Sequence, residues 1–259
     1  MRASTALRLE RVAVLALLVI PGITSDPGWS AAGSARSAKP EATPSLAPGP
    51  AAPPADLPPG LPTGWYTRIQ TSMGTIIARL LPEQAPQTVA YFAAFAEGRM
   101  SWVDPLTGET KRGHYYDGLK VHKAIAGERF EAGDPTETGR GSPLIYVVPE
   151  LKNPKNFDAP GRLGMTRSSL GRISASLFFV TSGSLPYLDN RHPCFGEVVS
   201  GQDVVWEICT VKTQPSGKPI TPVVLESVRV LPVGNPPPLQ EPVAYTPIPL
   251  DFGPKVEEP

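Results

Sequence analysis

Proline distribution sets the first limit on what this chain can fold into. Its 33 prolines crowd the two ends, and proline removes a backbone donor that helices and sheets need. A packed core must therefore come from the middle. Asp26–Pro62 is rich in Ala, Pro, Ser and Gly with few large apolar residues. Such a segment cannot bury enough surface to offset its ordering entropy, so residues 26–63 read as an extended tether. It either holds the folded part away from a surface or is a passive spacer. Pro-rich text returns over 233–259, where Tyr245, Ile248, Leu250 and Phe252 alternate with prolines. That tail has three readings: disordered, laid along the folded part in a polyproline conformation, or docked on a partner. Order is expected over residues 64–232.

The N-terminus carries an address. Arg2, Arg8 and Arg11 precede the apolar run Val12–Ile20, the pattern of a secretion signal over residues 1–25. Glu10 is off-pattern, and cleavage fits after Ser25 or after Ala32. Nine apolar residues are too few to cross a hydrocarbon core of about 30 Å, so stable membrane insertion is not expected once the signal is removed. Export to a periplasm, cell envelope or the exterior is. Lys+Arg equals Asp+Glu, for zero formal net charge, which argues against bulk attraction to nucleic acid or anionic lipid. The two cysteines, Cys194 and Cys209, are either one disulfide or two buried thiols. There is no CxxC, and His114, His122 and His192 lack metal-like spacing. No metal or cofactor is expected.

Within the middle, Tyr66–Gln70 and Thr75–Leu80 are β-rich runs joined by Thr71-Ser72-Met73-Gly74, a hairpin pattern. Pro86 suits the first turn of a helix with Val89, Phe92, Ala93 and Ala96 on one face and Gly98 as its stop. Met100–Arg112 reads as a loop insertion whose Trp102 either packs on the domain or meets a partner, packing being the favoured reading. Asn153-Pro154 and Ala159-Pro160-Gly161 mark a surface loop before a strand at Arg162–Arg167. Further strands are expected at Phe178–Thr181, Cys194–Val199 and Val223–Leu231, with a second helix at Gly201–Ile208. Many strands with only two helices, one near each end, predict a mainly β protein: a closed antiparallel barrel capped by two helices.

Three segments carry a resemblance. They are VHKAIAGERFEAGDP (121–135), SLFFVT (176–181), and LDNRH (188–192) before Phe195-Gly196. Together with TSMGTIIARLLPEQAPQTVAYFAAFAEG (71–98) they resemble the cyclophilin family of peptidyl-prolyl isomerases over about Tyr66–Leu231. The resemblance implies rotation of X–Pro bonds, a slow step because amide resonance imposes a barrier of about 18–20 kcal/mol. That chemistry needs no nucleophile, metal or cofactor. It needs an apolar slot for the proline ring, hydrogen bonds to the flanking backbone, and a donor aimed at the prolyl nitrogen that favours the twisted state.

Residue by residue, the resemblance maps unevenly. The family's donor arginine corresponds to Lys123, and the glutamine that braces it to Glu131. A Lys123–Glu131 ion pair reads either as a joint replacement of Arg–Gln or as a cross-strand salt bridge without chemistry. Phe179, Leu188 and His192 match slot-lining positions, and Met165 precedes the strip that binds substrate backbone. Glu128 stands for a slot-lining Phe and Arg129 for Met. Leu177 stands for Gln, Tyr187 for Trp, and Thr166-Arg167-Ser168 for Ala-Asn-Ala. Phe178 is expected in the core, because adjacent strand residues face opposite ways. His122 reads as a buried, hydrogen-bonded histidine and Asp134 as a turn-former. Ser182-Gly183-Ser184 lacks a G-x-S-x-G elbow and is not a hydrolase site.

The expectation is a monomeric exported prolyl isomerase of low activity acting on proline-containing segments of unfolded exported proteins. Two alternatives stand beside it. One is a peptide-binding or chaperone module that has lost turnover. The other is a structural surface protein acting through its Pro-rich tails.

Overall fold

A computed structural model describes residues 57–243 except 142, 144, 153–155, 169 and 170. The expected secretion signal, most of the tether, Asn153-Pro154 and the tail aromatics lie outside the described residues. In chain order the elements are β1 (Gly64–Thr71), β2 (Gly74–Leu80), α1 (Pro86–Ala96), β3 (Ser101–Val103), β4 (Thr110–Arg112), β5 (Lys123–Ile125), β6 (Arg129–Ala132), β7 (Arg162–Arg167), β8 (Ile173–Thr181), β9 (Cys194–Ser200), α2 (Gln202–Cys209) and β10 (Leu225–Val233). A 3₁₀ turn spans Pro186–Leu188.

Eight strands form one curled antiparallel sheet in the order β10-β1-β2-β9-β7-β8-β6-β5. The expected full closure is not reached, because no strand ladder joins the edge strands β5 and β10. Lone backbone bonds span the gap instead: Val121 N–H to the Val223 carbonyl at 2.9 Å, Leu225 N–H to Leu119 at 2.7 Å and Ala124 N–H to Gly217 at 2.8 Å. The sheet is a half-barrel whose seam is stitched by loops. Met100–Arg112, expected as a plain loop, contains the β3–β4 hairpin, and Trp102 packs edge-on against Tyr115 with centroids 5.0 Å apart.

Helix α1 covers the concave face. Phe92 meets Tyr116, Phe178 and Phe195 at centroid distances of 5.2, 5.7 and 5.1 Å, and all four rings are fully buried. Pro86 opens the helix as expected, but Ala85 has no side-chain oxygen to cap it. The Glu150 carboxylate does so from across the chain, accepting from Gln87 N (3.0 Å), Thr88 N (2.8 Å) and Thr88 Oγ1 (2.7 Å). Helix α2 begins at Gly201, whose φ of +85° suits glycine. A Cβ there would also overlap the Thr75 carbonyl.

The described part of the tail is not free. Trp65 Nε1 donates to the Pro237 carbonyl at 2.7 Å, Gln87 Nε2 to Gln240 at 2.9 Å, and Val243 N to Gln87 Oε1 at 2.9 Å. Tyr91 also donates to the Val243 carbonyl. Of the three readings of the tail, the one laid along its own domain describes residues 234–243. Both cysteines are buried free thiols rather than a disulfide, and burial pushes Cys209 up to about 11. No described helix is long and apolar enough to cross a membrane.

Candidate active site

The site lies on the convex side of β6, β7 and β8. Phe178 pairs across the sheet with Ala132 and Met165, and Phe179 with Glu131 and Gly164. Alternation sends Phe178 into the main core and Phe179 to the outer face. Gly164 leaves room for that ring, since a Cβ at 164 would overlap Phe179. Phe179 anchors a second, smaller apolar cluster with Phe157, Leu185, Leu188 and Cys194. Phe157 leans on it at 5.2 Å between centroids, and His192 stands edge-on at 5.4 Å. Phe157 and Leu185 were not singled out from sequence, and Cys194 was noted only as a cysteine, not as part of the site. The available signal for Phe157 was a large apolar residue isolated between turn-formers.

His192 is oriented by the backbone. Its Nδ1 lies 2.8 Å from the Met165 carbonyl, which can only accept, so Nδ1 carries the proton and Nε2 is the bare nitrogen. Burial lowers the pKa of the imidazole, favouring the neutral form. Met165, expected among the substrate-binding residues ahead of the backbone strip, has its side chain fully buried in the main cluster, and its carbonyl accepts from His192. Leu177 is also fully buried and outside the small cluster. Thr166 is nearly buried at a ladder irregularity, while Arg167 is exposed and donates to the Gly171 carbonyl at 2.7 Å.

Above Phe179 sits a charged lip. Lys123 and Glu131 are opposed in the β5–β6 ladder, and so are Ile125 and Arg129. Among the described residues, however, no ion pair joins Lys123 to Glu131, which corrects the expected partnership. Glu131 Oε1 is taken by Arg129, with Nε at 2.9 Å and Nη2 at 2.8 Å. Arg129 Nη1 reaches Glu128 Oε2 at 3.1 Å and the Tyr187 hydroxyl at 3.0 Å, and Tyr187 donates to Glu128 at 2.8 Å. This closed net holds the guanidinium carbon 5.6 Å from the Phe179 centroid. The Lys123 stem instead runs beside Gly217, where a Cβ would lie 3.1 Å from Lys123 Cγ.

Burial alone would raise the Glu131 carboxyl. The facing His122 imidazole and the charges of Arg129 and Lys123 overcome that and hold it at about 2. His122 Nε2 stands 3.7 Å from Glu131 Oε2, an electrostatic contact rather than a direct hydrogen bond. The histidine is buried as expected, but its Nδ1 has no hydrogen-bond partner among the described residues. Asp134 is a turn-former: its carboxylate accepts from the backbone N–H groups of Thr136, Thr138, Arg140 and Gly141 at 2.7–3.1 Å. This arrangement joins a greasy floor to a fixed cation. Among the described residues no His/Cys/Asp/Glu cluster suits a metal.

Comparison with known proteins agrees with that chemistry. Residues 66–230 match the family model described as cyclophilin type peptidyl-prolyl cis-trans isomerase/CLD, and the chain belongs to that family. It is 37% identical over 153 residues to peptidyl-prolyl cis-trans isomerase A of Mycobacterium tuberculosis, covering 58% of this chain and 84% of that one. It is 37% identical over 155 residues to isomerase B of Streptomyces anulatus, covering 59% and 88%. A Cryptosporidium parvum cyclophilin-type isomerase, crystallised in the presence of the dipeptide Ala-Pro, superposes with a TM-score of 0.54 at 26% identity, over 66% of this chain and 99% of that one.

Proposed function

We propose that this chain is a peptidyl-prolyl cis-trans isomerase of reduced turnover, acting on X–Pro bonds of exported, incompletely folded proteins. The observation that carries the reading is the Phe179 cluster, an apolar floor with a fixed cation at its lip. A proline ring seated on Phe179 gains roughly 2 kcal/mol from burial. The cation favours the pyramidal prolyl nitrogen of the twisted state over either planar state. The neutral His192 and the backbone of β7 flank the same floor, in reach of a peptide's main chain. Reduced turnover follows from the closed floor: Phe179 is only 1% exposed, so the side chains packed against its ring must part before a proline ring can seat. Binding is weakened in proportion to the rarity of the open state. Export rests on the sequence pattern of Met1–Ile20.

One observation favours a second reading, a peptide-binding module without turnover: the Arg129 guanidinium over the ring acts as a permanent cap. The experiment is an isomerisation assay on an Ala-Pro tetrapeptide with the full chain. A rate above the uncatalysed background that Phe179→Ala abolishes is the expected result. Peptide binding with no rate enhancement selects the second reading, and neither binding nor rate rejects both.

A further inference from the structure

We propose that the hydrogen-bond donor to the prolyl nitrogen is Arg129, a neighbour on β6, and not Lys123 at the position where the family carries its arginine. The assignment rests on the isomerase reading above and adds to it the identity of the working cation.

Three observations carry it. First, the reaction wants a donor with a fixed direction, because a wandering charge stabilises planar and twisted states alike. Arg129 is held at Nε, Nη1 and Nη2 by Glu131, Glu128 and Tyr187, which locks the plane of its guanidinium. Lys123 has no ion-pair partner among the described residues, and its ammonium hangs on a flexible stem beside Gly217. Second, Glu131 occupies the bracing position and braces Arg129 with two contacts to one oxygen. Third, Arg129 is the cation that overlooks the floor, at 5.6 Å from the Phe179 centroid.

The hydrogen-bond inventory leaves a hydrogen for the substrate. Nε–H and one Nη2–H face Glu131, and the two Nη1 hydrogens face Glu128 and the Tyr187 hydroxyl. The second Nη2 hydrogen has no acceptor among the described residues. No proton is transferred: the guanidinium stays charged throughout and donates to the nitrogen lone pair as amide resonance is lost. A planar fork reaching the slot from β6 rather than β5 thus restores the orientation that lysine at 123 cannot supply. Glu131 is then a positioning residue, acting through Arg129.

Single substitutions in the full chain test this with the same Ala-Pro tetrapeptide, reading kcat and KM separately. Arg129→Ala is expected to lower kcat/KM by about 100-fold, chiefly in kcat. Arg129→Lys keeps the charge without the fork and is expected to lose at least about tenfold while KM stays close to that of the unmutated chain. It also carries the test should Arg129→Ala fail to fold. Lys123→Ala is expected to change kcat/KM by no more than about threefold. Turnover in the unmutated chain that Arg129→Ala preserves or raises overturns the assignment alone and makes the guanidinium a lid. Turnover lost in Lys123→Ala but kept in both Arg129 variants returns the donor to Lys123. Absence of turnover in the unmutated chain rejects the isomerase reading, and this assignment with it.

Discussion

Phe178 and Phe179 are adjacent on one strand, yet they sit in two unlike apolar regions. Phe178 belongs to the main core beneath α1, with Phe92 and Tyr116 edge-on to its ring. Phe179 belongs to a five-residue outer cluster roofed by a guanidinium, two carboxylates and a phenol. The inner region is held by close packing, which has one good arrangement. The outer roof is held by directional hydrogen bonds and ion pairs, which fix where its charges point. The first region is a packing unit, and the second sets a fixed charge over an apolar ring.

That contrast is sharpest in a pair of truncations. Phe178→Ala is expected to cost about 3–5 kcal/mol of stability, measured by denaturant unfolding. Phe179→Ala is expected to cost clearly less, since its cluster is small, while removing peptide binding. Equal losses from the two would erase the distinction between core and floor.

The roof has its own signature in pH. Glu131 is held at about 2 against an ordinary 4.5, so its folded pKa lies below its unfolded one. Its contribution is therefore complete above about pH 4.5 and is lost as pH falls towards 2, amounting to on the order of 2–3 kcal/mol. Glu131→Gln is expected to lower stability at neutral pH and to flatten the unfolding free energy across that window. An unchanged acid limb would mean that His122, Arg129 and Lys123 together do not hold the carboxyl below its ordinary range in solution.

The smallest effect expected concerns tail residues 234–243 where they meet Trp65, at the edge of the main core and outside the Phe179 cluster. Trp65→Phe removes the bond from Nε1 to the Pro237 carbonyl and is expected to cost about 1 kcal/mol, with turnover unaffected. A change in turnover would show that the tail and the Phe179 cluster communicate.

Legibility differed between these regions for a physical reason. The β1–β2 hairpin, both helices and the opposite facing of Phe178 and Phe179 follow from periodicity and turn residues, which act over a few positions. So does the opposition of Lys123 to Glu131 in the ladder. The partner that Glu131 takes does not follow. Arg129 lies on the same face of the same strand, and its longer, forked side chain wins the carboxylate over a lysine one strand away. Phe157 reaches the floor through a loop whose path has no local rule. Glu150 caps α1 from 62 positions away, a distance at which pattern is silent. Barrel closure failed as an expectation because strand content says how many ladders are available, not whether the last pair meets.

Sequence alone determined the mainly β architecture, the family, and the opposite facing of Phe178 and Phe179. Those depend on short-range periodicity and on motifs kept in order. Tertiary structure alone decided which cation stands over the Phe179 ring, and that the described start of the Pro-rich tail lies on its own helix. Both are outcomes of competition among side chains brought together from distant parts of the chain, where reach, geometry and desolvation choose between partners of equal charge.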